Sequence, residues 1–296
     1  MSMERKKFIQ LLAATPFLFS MKNLQDLYQQ SQYFPPTDKM PVLFLGHGSP
    51  MNAIEENEFV TGFRNIAASL PTPKAILCIS AHWFTKGTKV TAMEMPRTIH
   101  DFGGFPDELF AVQYPAKGSP ELARETQNIL SPVEVELDEK WGLDHGAWSV
   151  IKHLYPAADI PVIQLSIDYT QPAAFHYNLA KQLNSLRHKG ILIIGSGNIV
   201  HNLRMVDFAN FDKDNYGYDW AIEARQTIND YLLDGNFEPL IQYEKQGQAL
   251  RLAIPSPDHY LPMLYALGLK EKQESIGLFN DKLLAGSLSM TSLKIS

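Results

Sequence analysis

The sequence predicts an α/β fold: a single domain with a mostly parallel central sheet flanked by helices. Two observations carry this. Apolar runs at residues 42–45, 75–80, 161–167 and 191–194 are continuous rather than alternating, which suits strands covered on both faces. Between them, apolar residues recur at helical spacing. Strands and helices therefore take turns along the chain, the order that builds a parallel sheet between helix layers.

Taken in order, the stretch SQYFPPTDKM at 31–40 reads as a linker, because Pro35 and Pro36 cannot continue a helix. Residues 1–39 are then an N-terminal segment with its linker, and the folded domain occupies 40–296. Within that segment Arg5, Lys6 and Lys7 precede an apolar stretch from Phe8 to Phe19, too short to span a membrane. It resembles a signal segment whose twin-arginine start lacks its second arginine, and equally an amphipathic helix that packs on the domain. A cytoplasmic protein and an exported one are both compatible with it. No other segment reads as membrane-spanning.

Residues 42–45 form the first strand, and Phe59, Phe63, Ile66, Ala67 and Leu70 mark the helix after it. Residues 75–80 are the second strand and 90–93 a short third. Ser119, Pro120 and Glu121 open a helix with a capping residue and a proline at the first helical position. Residues 133–137 alternate like a half-buried strand, 161–167 and 191–194 are buried strands, and helices fill 172–187, 219–233 and 260–267.

The composition narrows the chemistry. Of the 296 residues 45% are hydrophobic, enough for a sizeable core. A net charge of -6 without a long basic run argues against nucleic acid as a partner. The one cysteine, Cys78, rules out a disulfide within the chain and a cysteine-based zinc site. A bound metal must be held by nitrogen and oxygen, and nine histidines are available. There is no G-x-S-x-G elbow for a serine hydrolase. The turn-like Gly195-Ser196-Gly197 comes without a Walker lysine or a G-x-G-x-x-G pattern, which disfavours a nucleotide.

In open α/β sheets ligands sit outside the carboxyl ends of the strands. His47 follows VLFL, His82 follows AILCIS, and His201 follows ILIIGSGNIV. Neighbouring strands lie about 4.8 Å apart, so histidines leaving neighbouring strand ends can converge on one ion. A lone histidine there is more often structural. Gly46 and Gly48 let the backbone come close to such a site. Trp83 and Phe84 either wall a pocket or pack in the core. Pro255 and Pro257 stiffen a loop that brings Asp258 and His259 to a helix start, where Asp258 would otherwise serve as a cap. In WGLDHGAW, His145 is a pocket donor or a turn histidine, and His100 lies in a Gly-rich loop able to cover a pocket. His153, His176 and His188 fall at helix positions and are expected at the surface.

Taken together and in order, GHGSPM, SAHW, DFGGFP, YPAKGSP, LDHGAW, PVIQLSID, GSGNIVHNL, PSPDHYLP and GSLSM resemble the 4,5-DOPA extradiol dioxygenase family. That family belongs to the class III, LigB-type ring-cleaving dioxygenases. The likeness runs from about Pro41 to about Met290. It implies a non-haem ferrous site at the mouth of an α/β fold. His47 and His82 would be its first two metal ligands, and His259, standing where LigB-type relatives place a glutamate ligand, would be the third. The resemblance makes His201 the active-site base or a fourth ligand, and His145 the histidine that contacts substrate or dioxygen.

Such a set lacks the carboxylate of the usual facial triad, which leaves zinc as a competitor for the iron, with Asp258 as another source of a carboxylate. The implied partners are a small catechol-type, DOPA-like molecule and O2, both of whose atoms enter the product. Trp83, Phe102 and Trp148 would wall the ring. The competing readings are a zinc-dependent hydrolase whose histidines activate water, and a non-catalytic metal-binding protein. No oligomeric state is implied.

Overall fold

The computed structural model describes residues 34–211 and 213–296. The signal-like stretch and the first residues of the linker lie outside them. Pro36–Ser296 forms one unit, and no helix among the described residues is long and apolar enough to cross a membrane.

Six strands form the central sheet: β1 (Val42–Gly46), β2 (Ala75–Ser80), β3 (Val162–Gln164), β4 (Ile191–Gly197), β5 (Ile276–Phe279) and β6 (Ser292–Ile295). Their spatial order is β3-β2-β4-β1-β6-β5. The first four run parallel, while β6 pairs antiparallel with both β1 and β5. The mostly parallel sheet expected from the sequence is present. Every residue of β1 to β4 is buried, the physical reason that those runs do not alternate.

The main helices are α1 (Glu58–Ala68), α2 (Pro120–Ile129), α3 (His145–Leu154), α4 (Ala173–Gln182), α5 (Asp219–Leu233) and α6 (Leu261–Gly268). Leu43, Leu45, Ile76, Cys78, Leu192 and Ile194 share one core with Phe59 and Phe63 of α1 and with Trp148 and Ile151 of α3. Side chains alternate across a strand, so the residues between them face the opposite layer, where α6 packs on β4 and β1 and is backed by α4.

Several elements depart from the sequence reading. The run at 161–167 is split, because Leu165 donates its N–H to Cys78 in the main sheet and Ser166 donates to Lys89 outside it. Its end, Ile167–Asp168, pairs instead with Phe84–Thr85. The strand expected at 90–93 spans Thr88–Thr91 and pairs in parallel with Val135–Asp138, away from the main sheet. Gly195, Ser196 and Gly197 are the last residues of β4 rather than a turn. The helix expected over 172–187 is interrupted at Leu183, whose N–H bonds to Ala180 in a tighter turn. WGLDHGAW holds the start of α3, capped by Asp144, which accepts from the Ala147 N–H at 3.1 Å.

Two histidines expected at the surface are buried. His153 lies in α3 with its Nε2 2.7 Å from the Asn52 carbonyl. His176 is fully enclosed, its Nδ1 3.0 Å from the Tyr265 hydroxyl. His188 is exposed, as expected. Burial pushes His176 down to about 4, although contacts with the Gln171 and Asp168 backbone and the Asp168 charge pull the other way. A histidine whose folded pKa lies below its unfolded value binds protons more readily when unfolded. Its stabilising contribution is therefore present above pH 6.5 and is lost as pH falls toward 4.

His176→Gln should remove this share. The difference in unfolding free energy between pH 7.5 and pH 5, measured by urea denaturation, is expected to shrink by about 2 kcal/mol relative to the parent protein.

Candidate metal centre

The site lies at the carboxyl ends of the parallel strands. β4 runs between β1 and β2, so His47 and His82 do not leave neighbouring strands, as the sequence reading assumed. They lean toward each other across the tip of β4, and their Nε2 atoms lie 3.2 Å apart. Small residues make this crossing feasible. A side chain at Gly197 would collide with the carbonyl of His259, and one at Gly146 would strike the Ser80 hydroxyl and the His82 ring. The loop that carries His259 and the first turn of α3 can therefore close directly on the strand tips.

The histidines are held through their Nδ1 edges. His47 is almost fully buried and its Nδ1 lies 3.0 Å from the Ser196 hydroxyl. Ser196 donates its own hydrogen to the Gly146 carbonyl at 2.5 Å. It must then accept from His47, which places a proton on Nδ1 and a lone pair on Nε2. The His47 carbonyl accepts from the Asn52 amide at 2.9 Å, and Asn52 is held in turn by buried His153. His82 presents its Nδ1 to the Asp101 carboxylate at 3.3 Å. Its backbone N–H donates to Ser80 at 3.2 Å, and the Ser80 hydroxyl donates to Asp144 at 2.6 Å.

His145 is the first residue of α3. Its Nδ1 lies 3.0 Å from the same Asp101 oxygen, in a contact bent away from strict hydrogen-bond geometry. Its backbone N–H donates to the other Asp101 oxygen at 2.8 Å. His259 gives its Nδ1 to Asp258. Asp258 is therefore spent on the imidazole and caps no helix, since α6 has no side-chain cap.

Five of the nine histidines gather here. The ring centroids of His47 and His82 lie 5.0 Å apart, and His259 is 5.1 Å from the first and 5.0 Å from the second. His145 is 3.8 Å from His82. His201 stacks on His259 at 3.6 Å with its plane tilted by 8°. Donor atoms of His47, His82 and His145 all fall within 4.8 Å of one another, a convergence that includes the histidine given a substrate-contacting role by resemblance.

The electrostatics disfavour protonation of His47, His82 and His201. Burial, followed by the other site imidazoles, pushes His47 well below its ordinary value. Burial and His145 do the same to His82 against the pull of Asp101. His201 is pushed down to about 3 by burial and by His259. Burial raises the Asp258 carboxyl, but the interactions with His259, joined by hydrogen bonds from Ser256 and from its own backbone, together outweigh it and hold the group well below the usual range.

The Nε2 lone pairs of neutral His47 and His82 thus face each other at a distance where they repel unless a positive charge lies between them. Two nitrogens bound to one zinc ion at about 2.0–2.1 Å stand about 3.3 Å apart at a tetrahedral angle. The donor set fits a divalent cation. Phe102 reaches the cluster with its ring 5.5 Å from His145. Of the other expected wall residues, Trp148 is fully buried and donates to the Ile99 carbonyl at 2.8 Å, and Trp83 stacks on Trp141. Both support the site from the core.

Asp101, Ser196, Asn52 and Asp144 were not singled out from the sequence. Asp144 had a usable signal: an aspartate followed by Ala147, Val150, Ile151 and Leu154 at helical spacing is a cap before an apolar face. Asp101 and Ser196 had none, because their contacts join segments far apart in the chain.

The model of the family described as "Catalytic LigB subunit of aromatic ring-opening dioxygenase" matches residues 41–287. A protein of Escherichia coli (strain K12) named "4,5-DOPA dioxygenase extradiol" is 48% identical, over 87% of this chain and 95% of its own length. A Beta vulgaris protein of the same name is 36% identical, over 86% and 95%. The crystal structure of an uncharacterized protein from Escherichia coli K12 superposes with a TM-score of 0.73 at 42% identity, covering 87% of this chain and all of the other. A fold with strand-end histidines at its mouth, a donor set fitted to a divalent ion and a family match over nearly the whole described unit lead to one conclusion: this chain belongs to the LigB family of aromatic ring-opening dioxygenases and is an oxidoreductase.

Proposed function

We propose that this protein is an extradiol dioxygenase that opens a catechol-type, DOPA-like ring beside its two hydroxyls and inserts both atoms of O2. The observation that carries the reading is the convergence of neutral imidazoles at the sheet mouth, with the Nε2 lone pairs of His47 and His82 facing each other. Relatives named 4,5-DOPA dioxygenase extradiol support the choice of substrate class.

In this reading His47, His82 and His259 hold the metal. Each has its Nδ1 against a different oxygen-bearing side chain, Ser196, Asp101 and Asp258. That arrangement leaves Nε2 for the ion and fixes the ring about it. Ferrous iron bound there supplies a Lewis acid and an electron donor toward catechol and O2, and zinc fits the same nitrogens.

His201 takes the phenolic proton. Burial keeps it neutral near pH 7, and the negative charge of a catecholate beside an imidazole raises its basicity. His145 contacts substrate or dioxygen, held by Asp101 and packed against Phe102. Partly buried Phe102, packed against His145, would offer an apolar surface to a flat ring.

With ferrous iron, a catechol and labelled dioxygen, mass spectrometry should find both labelled atoms in a yellow hydroxymuconic semialdehyde or its cyclised amine adduct. A muconic diacid, from cleavage between the hydroxyls, would sink the extradiol reading. A hydrolysed product without oxygen uptake would turn it into a zinc hydrolase.

His47→Ala, His82→Ala and His259→Ala should each weaken metal binding sharply when metal content is measured after dialysis. One equivalent still bound tightly by the triple variant would place the ion elsewhere.

His201→Ala should keep metal and catechol binding but lose on the order of 10²–10⁴ in kcat, the usual share of a general base. Metal loss equal to that of the ligand variants would make His201 a fourth ligand.

A further inference from the structure

We propose that Asp101 is a positioning residue that orients two imidazoles at once, His82 in the metal set and His145 in the substrate pocket. The inference rests on the functional reading above for the roles of those two histidines.

The geometry is asymmetric. A single oxygen, Oδ2, faces His82 Nδ1 at 3.3 Å and His145 Nδ1 at 3.0 Å. The second oxygen, Oδ1, accepts the backbone N–H of His145 at 2.8 Å. An ionised carboxylate only accepts hydrogen bonds, so each Nδ1 that approaches it is favoured in its protonated tautomer. Both rings then turn the Nε2 lone pair away from Asp101 and into the cluster. Among the described residues, neither Nδ1 has another side-chain partner. His47 and His259 have anchors of their own, so this dependence falls on one pair.

The two rings also constrain each other. Their centroids are 3.8 Å apart with planes inclined by 48°, too close for one to rotate without moving the other. Asp101 itself sits outside any strand or helix. Its place is set by neighbours on both sides. His100 Nε2 donates to the Val112 carbonyl at 2.9 Å, and Phe102 packs on Phe105, Phe110 and His145. A change at Asp101 should therefore act on the metal through His82 and on turnover through His145, two effects that an ordinary loop contact would not produce together.

Asp101→Asn keeps the size but offers one accepting oxygen and one donating amide: with the amide nitrogen at the Oδ2 place both rings face a donor, and with the oxygen there the His145 backbone N–H loses its acceptor. Asp101→Glu keeps the charge on a longer arm. The metal-free parent and both variants would be titrated with Zn²⁺ by calorimetry, and the iron-loaded forms assayed for kcat and KM on a catechol at saturating metal. Asp101→Asn is expected to weaken zinc binding about 10–100-fold. It should also lower kcat at least tenfold at saturating iron, with Asp101→Glu recovering part of both. The thermal midpoint of the metal-free Asp101→Asn protein should stay within a few degrees of the parent.

Unchanged zinc affinity in Asp101→Asn overturns the inference, whether or not the metal-free protein melts earlier. Lost zinc affinity with kcat intact at saturating iron overturns the half that concerns His145. If the parent binds zinc yet opens no catechol, the functional reading falls. The zinc titration then still decides whether Asp101 positions His82.

Discussion

The site depends on how β4 ends. The two strands that deliver His47 and His82 are separated by β4, so the rings meet only by lying across its tip. That tip has to be low. Ser196 and Gly197 keep it so, and Gly197 has the backbone of the His259 loop directly upon it. A larger residue at either position would push the third histidine away and part the first two. The same closeness lets Ser196 serve as a relay, accepting from His47 while donating to the first turn of α3. The strand tip therefore holds α3 and His47 in register, and His145 with them.

Gathering imidazoles into a buried space has an electrostatic cost that the protein meets by keeping His47, His82 and His201 uncharged. Burial and mutual proximity both disfavour protonation of His47, His82 and His201, and these effects add. A neutral ring still has to choose which nitrogen carries its hydrogen. Ser196 and Asp101 settle that choice for His47 and His82 by presenting acceptors on the Nδ1 side, and Asp258 anchors the Nδ1 edge of His259. Carboxylates placed there, rather than among the Nε2 atoms, leave the cluster with lone pairs directed inward and negative charge outside.

Much of the architecture was legible in the sequence because burial on both faces writes itself as unbroken apolar runs. Residues 42–45, 75–80 and 191–194 read as strands and are strands. Histidines directly after such runs were legible for the same reason. What failed was whatever depends on partners remote in the chain. The run at 161–167 looks uniform, yet it changes sheets at Ser166 because Lys89 competes for its hydrogen bonds. His153 and His176 sit on amphipathic segments and still face inward, each held by a group distant in sequence, Asn52 and Tyr265. The strand order that puts β4 between the two histidine-bearing strands leaves no local trace. Nor does the carboxylate of Asp101 reaching back to His82. The antiparallel strands β5 and β6 were missed: β5 is the sheet edge and only partly buried, and β6, between β1 and β5, is the short run SLKI whose serine and lysine break the apolar pattern.

The pairing of β1 also bears on how the protein is assembled. Val42 lies opposite Ile193 on one side and Ile295 on the other. The strand that carries His47 is thus flanked by two segments that follow it at long range. Contacts of such wide sequence separation form slowly, because loops must close before they are rewarded. Until those segments are in place, β1 presents unpaired backbone on both edges, and an ion in solution meets its histidines singly rather than as a set. Under the proposed ligand set, capture of the ion waits on completion of the sheet, and chaperones or low temperature during expression should matter more for this protein than the metal supplied to the nascent chain.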